Sequence, residues 1–203
     1  MVVEKEKILE LFPELALVEN KEWVDKACAM WKRSFDASGW DCPEAARFGH
    51  STPEISLIEH TRAVTKMAIS IADIYEEMHG NVKIDRDVLI MVSVLHDVSK
   101  ALEYAPTEDG SFTVTEMAKN YQHGLIGTHF ALDAGLPDCI CAVIANHTAW
   151  SRMAPRTVEG MILFLADTCD SETAKFLHGG NSLILAAMGK MNEKSAKKQM
   201  GIK

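Results

Sequence analysis

Apolar positions recur along most of this chain at three- and four-residue intervals, the spacing of one buried face of an α-helix. The pattern predicts helices at residues 4–12, 15–35, 53–78, 116–134, 137–146, 158–168 and 181–199, and one that runs through 88–95. Pro13 stops the first, and Pro53 opens the third, since proline is tolerated in a first turn. Along that third helix Leu57, Val64, Met67, Ile71 and Ile74 mark the stripe expected to face inward, and the His79-Gly80 pair ends it. Asp85 or Asp87 caps the next helix. Gly39, Pro43 and Gly49 make residues 40–52 a loop with at most a helical turn, and Gly135-Leu136-Pro137 is a strong break. Residues 103–115 also depart from helical spacing. Pro106, Asp109-Gly110 and the alternating Phe112-Thr113-Val114 predict a small hairpin there. The expected fold class is therefore all-α, a helical bundle with one hairpin excursion.

With 203 residues the chain has room for one domain with a sizeable core, expected to span residues 1–203. Composition is globular, 47% apolar and 25% charged. A net charge of -8 argues against a nucleic acid polymer as partner, which needs clustered cations. A small phosphorylated partner is still open, because a bound metal can supply positive charge locally. Lys190, Lys194, Lys197 and Lys198 form a basic run on the last predicted helix, read as a solvated face. The charged start lacks a secretion signal, and the apolar stretches 88–95 and 160–166 are far too short to span a membrane. Five cysteines without a CxxC pair fit reduced thiols. A cytoplasmic protein with no membrane partner is expected.

The chemistry is signalled by polar residues at the ends of greasy segments. Residues 88–95 (Val-Leu-Ile-Met-Val-Ser-Val-Leu) are apolar on nearly every side and run straight into His96-Asp97. Residues 139–145 deliver Asn146-His147, and residues 161–166 deliver Asp167. His60 falls on the buried stripe of the third helix. Singly, each has a plainer reading: His60 as a core histidine, Asp97 as a cap, Asp167 as half of an ion pair. An unpaired buried carboxylate costs several kcal/mol or more, so two aspartates and several histidines in one interior imply a shared partner. Imidazole with carboxylate is the composition of a transition-metal site.

The order His60, His96-Asp97, Asp167 resembles the H…HD…D signature of the HD-domain superfamily of metal-dependent phosphohydrolases. The flanks agree: Ser56-Leu-Ile-Glu-His60-Thr, Leu95-His-Asp-Val-Ser-Lys100 as an HDxxK motif, and Phe164-Leu-Ala-Asp167. Between them, Gln122-His123-Gly and Ala145-Asn-His147-Thr resemble the two additional histidines of the two-metal branch. The resemblance covers a motif core of about residues 53–170. Residues 1–52 would supply N-terminal helices and 181–199 a C-terminal one. It implies a first metal held by His60, His96, Asp97 and Asp167, and a second by His123 and His147 with Asp97 bridging. Lys100, in the next helical turn or a loop just beyond, matches the lysine that reaches a substrate phosphate. Arg47 and His50 before the motif, and Trp150 and Arg152 after His147, are further candidates for contacting substrate. His129 would face away from His123, and His79 and His178 read as helix-end residues.

The implied function is metal-dependent hydrolysis of a phosphate ester or anhydride, with two divalent transition metal ions as cofactors. A metal can lower the pKa of its bound water from about 15.7 to about 7, which makes hydroxide available as the nucleophile. Mixed nitrogen and oxygen donors suit iron or manganese better than magnesium. Residues 146–153 lack the doubled histidine and GYP of the cyclic-dinucleotide HD enzymes. The His147-Thr148 pair and HDxxK motif look more like the branch acting on symmetrical diadenosine polyphosphates, so a nucleotide or dinucleotide is the expected substrate. Two alternatives stay open: a di-iron oxygenase using O2, which has the same six ligands, and a non-catalytic sensor domain.

Overall fold

The computed structural model describes residues 3–148, 151, 153–178, 182 and 184. Its first helix, α1 (Lys5–Leu11), is followed by a 3-10 turn over Pro13–Leu17 and then α2 (Lys21–Ala37). The expected helix over 15–35 is thus interrupted. Asn20 starts α2 by accepting the Trp23 amide at 3.2 Å, and Asp87 takes the amides of Glu19 and Asn20 at 2.7 and 2.8 Å. Phe12, Trp31 and Phe35 stack with ring centroids 4.5 and 5.1 Å apart in the core. The Trp31 indole donates to the Val94 carbonyl at 3.2 Å, tying α2 to the segment just before His96.

Helix α3 (Leu57–Met78) starts four residues later than Pro53 suggested. Ser56 and Glu59 form a reciprocal capping box, which satisfies amides that an uncapped start would leave open. Its buried face is Leu57, His60, Thr61, Val64, Thr65, Ala68 and Ala72, whereas Ile74 is 58% exposed. Helix α4 (Arg86–Leu95) is capped by Asp85, which accepts the Val88 amide, and every residue from Val88 to Leu95 is buried. Strands β1 (Tyr104–Pro106) and β2 (Phe112–Val114) pair antiparallel as the expected hairpin. Gly110, with φ of 81°, makes the turn.

The span 116–134 holds two helices, α5 (Glu116–Asn120) and α6 (His123–Asp133). Tyr121 between them is extended, so the chain restarts with His123 at the first helical position. Helices α7 (Asp138–Asn146) and α8 (Val158–Leu177) follow, the latter nine residues longer than the expected end at 168. Helices α3, α4 and α8 pack on one another, and α6 lies on α7. Glycines permit the second contact. A Cβ at Gly124 would stand 3.2 Å from the Ile144 carbonyl oxygen, and one at Gly127 would stand 3.1 Å from the Ile144 side chain. Among the described residues the structure is helical apart from this two-stranded hairpin and an isolated bridge, and no helix is long and apolar enough to cross a membrane. The expected helix over 181–199, with its lysine run, lies outside the described residues.

Candidate metal centre

Each of the buried segments read from the sequence delivers its polar residue to one interior point. His60 projects from the first turn of α3. His96 closes α4, and Asp97 follows it. His123 opens α6, His147 closes α7, and Asp167 lies midway along α8. His60 and His96 are fully buried, and Asp97 and His147 are 2% exposed.

The two oxygens of Asp97 face different partners. Oδ2 lies 3.3 Å from His60 Nε2 and 3.5 Å from His96 Nε2. The same His60 nitrogen is 3.4 Å from Asp167 Oδ1 and 3.3 Å from His96 Nε2. Oδ1 lies 3.3 Å from His123 Nε2 and 3.4 Å from His147 Nε2, which are 3.2 Å from each other. Oδ1 is buried with no hydrogen-bond partner. These spacings fit metal ions. Donors about 2.1 Å from one ion in a tetrahedral shell stand about 3.4 Å apart. His60, His96 and Asp97 could hold one cation, with Asp167 beside His60 at the edge of that cluster, and Asp97, His123 and His147 a second.

The far sides of the rings are also organised. His60 Nδ1 donates to Asp170 at 2.7 Å, His96 Nδ1 to the Ser93 carbonyl at 2.7 Å, and His147 Nδ1 to the Ile144 carbonyl at 2.7 Å. Carboxylates and carbonyls only accept, so in each neutral ring the proton sits on Nδ1 and Nε2 is free to ligate. His123 has Glu103 Oε2 at 3.5 Å from Nδ1, and Ser99 Oγ donates to the His123 carbonyl at 2.7 Å.

The electrostatics show how much negative charge is stored here. Complete burial pulls the His60 imidazole down, but hydrogen bonds to Asp167, Asp170 and Asp97 overcome it and push its pKa up to about 10. Burial drives His123 down to about 3. Asp97 is held well below the usual carboxylate range: burial opposes this, and Lys100 and the surrounding imidazoles prevail. Asp167 falls to about 2 against its own burial, held there by His60 and His96.

Lys100 starts a 3-10 turn after the motif and is largely buried. Its Nζ is 3.6 Å from Asp97 Oδ2, donates to the Phe48 carbonyl at 3.3 Å, and lies 4.3 Å from the Phe48 ring centroid. Phe48 in turn stacks on His60, centroids 3.7 Å apart. A cavity of about 170 Å³ adjoins the cluster and is lined by Asp97, Lys100, His123 and Asp167. Phe48, Phe164 and Ile184 form apolar walls, and Glu172 and Lys175 also line it.

Arg47 and His50 stand outside this lining. Arg47 bridges to Ser56, while the exposed His50 stacks on Phe112 at 4.8 Å, beside the hairpin. Trp150 and Arg152 lie outside the described residues. His129 is 60% exposed, and His79 and His178 end α3 and α8. Several residues of the site were not in the expected set: Asp170, Glu103 and Phe48 against the cluster, and Glu172 and Lys175 in the cavity lining. Asp170 carried a signal, since it follows Asp167 by three and so shares its helical face. Glu103 and Phe48 come from irregular chain and carried none.

A helical bundle that gathers four imidazoles and a shared carboxylate into two adjacent clusters defines a metal-binding helical protein. More specifically, residues 57–172 match the family model of the HD domain, and the chain belongs to that family. HD domains bind divalent metals, and both clusters suit that role. The chain is also similar to the dihydroneopterin 2',3'-cyclic phosphate phosphodiesterase of Methanocaldococcus jannaschii, with 35% identity over 124 residues. That match covers 61% of this chain and 49% of the relative, so it spans about half the relative's length. No solved structure matches the chain.

Proposed function

We propose that this protein is a metal-dependent phosphohydrolase acting on a phosphodiester or anhydride of a small, nucleotide-like molecule. The observation that carries this reading is the division of Asp97 between two clusters with the Lys100 ammonium beside it, Asp97 and Lys100 both lining one cavity. His60, His96, Asp97 and Asp167 would hold one ion, and His123 and His147 the other, with Asp97 shared. Divalent ions so held supply Lewis acidity and a nucleophile available near neutral pH. Their mixed nitrogen and oxygen donors favour iron or manganese over magnesium.

The chain's own groups do the rest. Lys100 is fixed by the Phe48 carbonyl and ring, so it offsets charge developing on the phosphoryl oxygens without first reorganising. Phe48, packed over His60, keeps bulk water from that side of the centre. Phe164 offers an apolar face to a flat ring, and the Glu172–Lys175 pair, 2.8 Å apart, puts acceptor and donor side by side for the edge of a heterocycle. The pair is charge-balanced, which suits a neutral base or similar ring better than a second phosphate. The named substrate of the archaeal relative, a cyclic phosphate on a heterocycle, has this character, and so do diadenosine polyphosphates.

The test is metal analysis of anaerobically purified protein, then phosphate-ester hydrolysis with added iron or manganese. The panel contains 2',3'-cyclic nucleotides, dihydroneopterin cyclic phosphate and diadenosine tetraphosphate. Hydrolysis of at least one, lost on chelation, is expected. Oxygen uptake by the reduced iron form with no hydrolysis would replace this reading by the oxygenase one, and inertness in both assays would leave a sensor.

A further inference from the structure

Three of the four imidazoles have their Nδ1 held at 2.7 Å by a carboxylate or a backbone carbonyl. His123 is the exception. Its Nδ1 is 3.5 Å from Glu103 Oε2, and that oxygen is buried with no hydrogen-bond partner. A buried acceptor left unsatisfied is costly, so its position needs a reason. The ring geometry gives one. Nε2 of His123 faces Asp97, which puts Glu103 behind the ring and outside the set of ligating atoms.

Charge points the same way. The His60 and His96 cluster has Asp97 Oδ2 and Asp167 as anionic donors and Asp170 behind it. Among the described residues the His123 and His147 cluster has only Asp97 Oδ1 as an anionic donor, and Glu103 is the carboxylate at its back. The backbone of Glu103 is clamped on both sides. Its amide donates to the Lys100 carbonyl at 2.9 Å, and its carbonyl accepts the Thr115 amide at 3.0 Å. Thr115 Oγ1 also donates to the Leu102 carbonyl at 2.8 Å. The β1–β2 hairpin springs from between these two clamped residues, so its root is the mount on which Glu103 is carried.

We infer that Glu103 is the positioning residue of the second metal subsite, accepting a hydrogen bond from Nδ1–H of His123 and adding negative charge behind a subsite that has one carboxylate oxygen among the described residues. The inference rests on the two-ion reading above. It makes the hairpin a structural part of the metal centre.

The test is titration of metal-depleted protein with manganese(II) alone, followed by calorimetry and by the electron paramagnetic resonance signal of a coupled ion pair. The parent should bind two ions. Glu103→Ala should weaken the second binding step by about 10- to 100-fold and leave the first unchanged, with the coupled signal lost at limiting metal. Glu103→Gln keeps the shape and an acceptor but not the charge, so it should weaken the same step by about 10-fold, at the gentler end of that range. A role confined to packing the hairpin would leave the Gln variant like the parent and would overturn the inference. So would an unchanged second step in both variants, or equal weakening of both steps in a variant with parental circular dichroism. A parent that takes up only one ion would overturn the two-ion reading and this role together.

Discussion

Replacing Lys100 by Met separates substrate chemistry from metal binding. Methionine retains most of the stem that packs against Phe48 and removes only the ammonium. At an effective dielectric of about 20, unit charges 3.6 Å apart attract by about 5 kcal/mol before desolvation. Lys100 therefore competes with any cation for Asp97, and its removal should leave metal content equal to the parent's or higher. Turnover should move in the opposite direction. Loss of one pre-set electrostatic contact to a developing oxyanion costs about 10²–10³ in rate, or about 2.7–4 kcal/mol. Burial works against the charged amine, yet Asp97 and Glu103 raise its pKa, so it is charged at neutral pH and the loss should be seen there. The assay is metal per chain by plasma mass spectrometry, alongside kcat/KM for bis(p-nitrophenyl) phosphate and a 2',3'-cyclic nucleotide. Metal lost together with the ammonium would refute the division of roles. A near-parental kcat/KM would refute the role in turnover.

Asp97→Asn should abolish binding of both ions, because one substitution removes the charge the two clusters share; retention of either ion at parental affinity would contradict the bridging geometry. Asp170→Ala removes the 2.7 Å partner of His60 and should weaken the first ion about 10- to 100-fold, measured by competition with a chromogenic chelator. Leu89→Ala, at a fully buried position of α4, should destabilise the fold by about 2–5 kcal/mol, read from urea unfolding of the metal-free protein.

Some of this architecture could be read from the chain and some could not, for physical reasons. The segment from Val88 to Leu95 is apolar on all sides, which forces burial whatever the neighbours, and so Asp97 had to be interior. The hairpin was visible because Asp109-Gly110 asks for a turn and its flanks alternate. Helix starts were harder. Pro53 is compatible with a first turn, but the Ser56–Glu59 capping box supplies more hydrogen bonds and sets the start. The inward stripe drifted because Ala68 and Ala72 are small enough to sit against neighbouring helices, while the larger Ile74 is left outside. The break at Tyr121 has no glycine or proline to announce it, yet it decides that His123 opens a helix instead of lying inside one. Glu103 and Phe48 reach the site only through tertiary packing, which no local pattern encodes.

The four imidazoles are not equally exposed to genetic change. His96 and His147 each follow by three residues a carbonyl in the last turn of their own helix, Ser93 and Ile144, where an α-helix leaves its carbonyls without amide partners. Their aim is set by main chain, and no point mutation deletes a main-chain oxygen. His60 and His123 are backed instead by Asp170 and Glu103, and a single codon change can remove either carboxylate. Drift or selection on metal affinity therefore has two inexpensive entry points, one for each cluster, neither of which alters a ligand. A laboratory search for variants with altered metal preference would sample Asp170 and Glu103 before touching any histidine.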